Sequence, residues 1–548
     1  MKKSLCLLVL LTIVGSLQAA EFADLGRIEF PNSGSPEAQE TFLRAMLMLH
    51  SFEYEDARVA FQETQEIDPD FTLAYWGEAM THNHPLWRQT EPAEARAALD
   101  GYAPTPKARA KKAPTERERA YLAPLEILYG EGDKLQRDLA YCEAMRKLSE
   151  RYPDDLEAAS FYALSILGTA QGERDFRIYM RAAAVVEEVF DRNPRHPGAV
   201  HYLIHSYDDP VHAPLGLRAA RVYAEIAPAA SHAQHMISHI FVALGAWDEV
   251  VSSNVKSFRV SEERSRRKGL PLWQRNHHAL HWLHYAYLQQ GRYELARKQM
   301  EIIENDARQG TRPRSGWYFA SMRAATMIHT GKSWPAPEDI DLVDVGITGM
   351  AANQFATGFA AWRAGDDEAL SDALGSLRTH LQSARDSGED EDTYEGDSPS
   401  DFMVARVMAL ELRALKRQMQ GEPDEAVEIL EQAAALEDGL PFDFGPPAII
   451  KPSHELLGEM LLELERAGEA QAQFEAALQR APRRTLSLLG VARAAGRAGD
   501  SETAQQAYAE LRVIWHDADD DLPQLGEVLG RQADATARTG TERRIAED

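Results

Sequence analysis

Eleven of the chain's 18 histidines lie between His196 and His284, and their spacing is helical. His201 and His205 stand four residues apart. His232, His235 and His239 follow an i, i+3, i+7 pattern, and His278 and His281 are three apart with His277 and His284 beside them. At about 100° per residue each set forms one stripe on its helix. Imidazole is the commonest transition-metal ligand, and two imidazoles one helical turn apart can reach one ion. Tyr207-Asp208-Asp209-Pro210-Val211-His212 follows the first pair directly and can add a ligand or orient an imidazole. The candidate metal ligands are therefore His201, His205, His235, His239, His281, Asp209 and His212, with zinc or a similar transition metal as the implied cofactor. The same side chains can instead offer hydrogen bonds to a peptide. No His-Glu-x-x-His pair, Gly-x-Ser-x-Gly elbow, phosphate-binding glycine loop or dinucleotide fingerprint occurs. The sequence leaves open whether the chain catalyses anything.

These stripes need helices to carry them, and the rest of the chain supplies a helical period. Ala45, Ala57, Phe61 and Pro69 fall at positions 8, 20, 24 and 32 of a 34-residue helix–turn–helix unit. Tyr75 and Ala79 continue it, and Pro194 falls where another unit ends. Gly358, Gly365, Leu370 and Leu374 mark a further unit, as do Ala414, Gly421, Ala426, Leu430 and Ala433. Leu457, Gly458, Gly468, Ala470, Phe474, Ala477 and Pro482 give the cleanest match, and Ala492, Gly499, Ala504 and Tyr508 mark one more. The pattern resembles the tetratricopeptide repeat (TPR). That resemblance implies an all-α, right-handed superhelical solenoid of helix pairs and a peptide or protein partner bound in the concave groove. Registers set by Pro194, by Gly245 with Trp247, and by Gly291 with Tyr293 and Ala296 place the stripes in equivalent first-helix positions. The resemblance therefore implies that His201, His205, His232, His235, His239, His278, His281 and Tyr285 line one groove.

The net charge of −27 argues against nucleic acid as a partner and favours cations. Lys2 and Lys3 precede the apolar run Leu5–Val14 and then Ala19-Ala20, a secretory signal pattern that predicts a periplasmic or secreted protein. No stretch of the mature chain is long and apolar enough to span a membrane. Cleavage leaves Cys142 as the sole cysteine, which excludes an intramolecular disulfide. The expected organisation is a signal peptide (1–20), N-terminal TPR-like units (21–100), a basic, proline-containing linker (101–114) and helical repeats (115–195). The histidine-rich units (196–300) and degenerate repeats (301–385) follow. An acidic loop (386–401), C-terminal units (402–515), and a final helix and tail (516–548) complete the chain. The acidic loop is not an EF-hand, because Glu391 occupies the position where that turn needs glycine.

Overall fold

The computed structural model describes residues 25–530, apart from 171–173, 310–312, 338, 341, 343–344, 388–397 and 443. The signal segment, most of the acidic loop and the last 18 residues lie outside them. The described residues form 24 α-helices and a single two-residue strand pairing, Asn83–His84 with Gln89–Thr90. None of these helices is long and apolar enough to cross a membrane. The protein is all-α, and successive helices pack as neighbours in the manner of TPR pairs.

Local sequence fixes where the helices start and stop. Asp133, Asp155 and Asp500 cap first turns through their side chains, and Thr115 with Glu118 closes a reciprocal capping box. Pro92, Pro197, Pro399 and Pro423 occupy the first helical turn, where the missing N–H is no loss. The repeat positions do what close packing requires. Ala45 and Ala57 are fully buried, as are Ala470 and the rings of Phe61 and Phe474. A Cβ on Gly77 would lie 2.2 Å from the Phe61 ring. Phe474 is held between two glycines: a Cβ would meet its ring at 2.9 Å from Gly458 and at 2.3 Å from Gly490. An aromatic from one helix pair thus seats against a glycine of the next.

The 101–114 stretch differs from its expectation as a solvated linker. Residues Pro106–Lys112 are a helix capped by Thr105. Its Arg109 is buried, pairing with Glu126 at 2.7 Å and Asp100 at 2.9 Å. Both acids lie in neighbouring helices, so the stretch is a helix anchored through Arg109, while most of its other residues are exposed.

The chain divides into two compact units, Met1–Asp208 with His212–Ile240, and Asp209–Val211 with Phe241–Asp548. In the first, the early Gln39–His50 helix packs against the late Pro197–Ser206 helix. A core of Phe30, Phe42, Trp76, Tyr121 and Phe161 lies beneath. In the second, late residues return to early ones. Arg484 donates to the Tyr285 hydroxyl at 3.1 Å, and the Trp515 indole N–H donates to the Gln289 carbonyl at 2.9 Å.

Candidate metal centre

Two elements of the first unit present the histidines. The Pro197–Ser206 helix carries His201 and His205, and the Ser231–Ala243 helix carries His232, His235 and His239. Position fixes the tautomer of His201. His201 Nδ1 lies 2.7 Å from the His50 carbonyl oxygen, which can only accept, so Nδ1 carries the hydrogen. Burial lowers the His201 pKa to about 3, so the ring is neutral and its Nε2 is a bare lone pair. That lone pair faces His205 Nε2 at 3.1 Å and His232 Nε2 at 3.2 Å. Burial, then repulsion from the other imidazoles, also pushes His205 and His232 well below their ordinary values. Nitrogens bound tetrahedrally to one zinc at about 2.05 Å are about 3.3 Å apart. His201 Nε2 therefore stands from each of its two neighbours at about the separation one ion imposes, and the three ligand atoms lie within 4.8 Å of one another.

His239 is held from behind. Its Nδ1 donates to the Asp208 carboxylate at 2.5 Å, leaving Nε2 turned to His235 Nε2 at 3.1 Å. A carboxylate on the outer nitrogen of an imidazole is the usual support of a metal-ligating histidine. Aromatic rings close the surroundings. Phe52 lies 4.2 Å from His201, 5.9 Å from His205 and 5.7 Å from His232, centroid to centroid, and Trp87 lies 6.2 Å from His232.

A second buried group, His50, Glu157 and His196, has the composition of a metal site but not its chemistry. His196 Nδ1 accepts the Ala199 N–H as a helix cap, so its Nε2–H donates to Glu157 Oε1 at 3.1 Å. His50 Nε2–H donates to Glu157 Oε2 at 2.6 Å, and its Nδ1 lies 2.9 Å from the Tyr202 hydroxyl. Each ring nitrogen already has a partner. Burial raises the Glu157 pKa, but the two imidazoles outweigh it and hold the carboxyl below its ordinary range.

Among the described residues, Asp209, His212 and His281 stand outside the groups whose ligand atoms converge within 4.8 Å. The Asp209 carboxylate accepts the Val211 N–H at 2.9 Å, and the His212 ring meets Phe176 edge-on. His278, His281 and Tyr285 belong to the second unit. There the Tyr318 hydroxyl lies 3.4 Å from His278 Nδ1, and the His281 ring packs against Trp317 and Tyr318. Tyr285 serves Arg484, which is itself buried against Glu455 at 2.8 Å. Sequence reasoning placed His232 in the groove set but not among the ligands. It also gave Asp208 no preference over Asp209, and it missed the His50 carbonyl and Phe52. The i, i+3 step from His232 to His235 was the signal for His232; backbone carbonyls leave none.

Fold and site together define an all-α protein of TPR-like helix pairs with a buried histidine cluster in its first unit. No known family's sequence profile matches the chain, and no curated protein matches it. Solved structures similar to it include the APC/C hetero-tetramer Cut9-Hcn1, at 11% identity over 89% of this chain and 82% of that one, with a TM-score of 0.36. Another is the P58(IPK) TPR domain, at 12% identity over 85% of this chain and 99% of that one, with a TM-score of 0.22. A third is the human IFIT1 dimer with m7Gppp-AAAA, at 12% identity over 97% and 93%, with a TM-score of 0.34.

Proposed function

We propose that the protein is an exported helical-repeat scaffold whose first unit binds a transition-metal ion through His201, His205 and His232. One observation carries the reading: the His201 Nε2 lone pair faces two further Nε2 atoms at 3.1 and 3.2 Å, while its Nδ1 is committed to a backbone carbonyl. Without an ion, both neighbours must donate to the same lone pair. With one, all three lone pairs are satisfied at once. An all-imidazole set suits zinc, copper or nickel. Three protein nitrogens leave a further position for water, as catalytic zinc sites do and closed structural sites do not. A metal-dependent hydrolysis would use that water. Export rests on the Lys2-Lys3 and Leu5–Val14 pattern. A peptide or protein partner rests on the repeat architecture, which offers long continuous surfaces.

The test is elemental analysis of untagged protein, followed by thermal melts of the chelator-stripped chain with zinc, copper, nickel and cobalt. Metal should raise the melting temperature, by about 2.7 kcal/mol of stabilisation at a hundredfold excess over Kd. Asp208→Asn should leave the His201 set intact. If none of the four ions moves the melt at neutral pH, the metal reading is wrong and partner binding alone remains.

A further inference from the structure

Resting on that reading, we propose that the histidine cluster is a two-ion centre. His201, His205 and His232 hold one divalent ion. His235 and His239, backed by Asp208, contribute ligands to a second.

The five imidazoles fall into two sets. Within sets the ring centroids are 4.9 Å apart for His201 and His205, 5.0 Å for His201 and His232, and 4.9 Å for His235 and His239. Between sets they are 5.9 Å apart for His205 and His239 and 6.5 Å for His232 and His235. The ligand atoms of His201, His205 and His232 converge as a group that excludes His235 and His239, so the five do not point at one centre. Each set contains a pair four residues apart on one helix with Nε2 atoms at 3.1 Å. Each also contains one imidazole anchored through its other nitrogen, His201 by the His50 carbonyl and His239 by Asp208. Two independently oriented pairs, each at ligating separation, are what two ions need.

The experiment loads chelator-stripped, untagged full-length chain with zinc to saturation and counts ions per chain after dialysis. We expect two in the native sequence, one in His235→Ala/His239→Ala, and one in His201→Ala/His232→Ala. One ion in the native chain overturns the two-ion centre and leaves the metal reading standing; none overturns both. Copper(II) electron paramagnetic resonance on the unmutated chain decides the matter if a double variant fails to fold. A half-field signal from a coupled pair supports the proposal, and spectra of isolated copper alone overturn it.

Discussion

Acid should unfold this protein through histidines that have nothing to do with the metal, and His284 shows how much. Its ring is fully buried in the second unit. Nε2–H donates to Thr326 Oγ1 at 2.9 Å, because the Thr326 hydroxyl hydrogen already goes to the Met322 carbonyl. Nδ1 is a buried lone pair without a hydrogen-bond partner. Burial first, and His281 second, lower the pKa to about 3 from the ordinary 6.5. The unfolded chain therefore takes up a proton here below pH 6.5, while the folded chain stays neutral until about pH 3. The stability this group holds above pH 6.5 is lost as pH falls through that window. At about pH 5 the unfolded imidazole is favoured roughly 30-fold by protonation, which destabilises the fold by about 2 kcal/mol. His281, also lowered to about 3 by burial, adds a similar amount. The decisive perturbation is His284→Gln, which keeps an N–H donor for Thr326 and removes the titration. Urea denaturation of metal-free protein at about pH 7.5 and pH 5 should show the variant losing about 2 kcal/mol less than the native sequence between the two. An equal loss in both would refute the argument, whatever the variant's stability at neutral pH.

Two further predictions concern the array and its export. Gly490→Ala places a methyl 2.3 Å from the Phe474 ring, and Gly77→Ala places one 2.2 Å from Phe61; each should cost about 1–3 kcal/mol in thermal melts, whereas Ala at the open, mid-helix Gly375 should stabilise by up to about 1 kcal/mol. The protein recovered from the envelope or medium should lack about 20 residues, and an intact mass that still includes Met1 would show that the signal pattern is not cleaved.

The helix pairs were legible because close packing leaves few options: Ala57 and Phe61, or Gly458 and Phe474, are small and aromatic at fixed offsets. What failed was context at a distance. Residues 106–112 look solvated by composition, yet Arg109 pairs with acids in two other helices. The histidine stripes were legible as faces, since helical spacing dictates a face. An equivalent repeat position does not by itself bring an equivalent neighbour. His281 stands in the same register as His201 and His235, and it packs against Trp317 and Tyr318. Asp208, not Asp209, orients His239 because both follow Ser206, where the helix and its periodicity end.

Phe52 joins the two kinds of information. In the turns between paired helices, Gly291, Gly421 and Gly499 stand five residues before Ala296, Ala426 and Ala504, each with positive φ. Phe52 stands five residues before Ala57, and its φ is +57°. A side chain there costs about 1–2 kcal/mol in backbone strain that glycine would avoid. The ring returns contact with His201, His205 and His232 together, and it is buried. Glu465, five residues before Ala470, also has positive φ, but it is exposed, whereas Phe52 is buried on the three imidazoles. Excluding water would strengthen every bond from those nitrogens to a cation, so a ring seated there would favour the proposed ion.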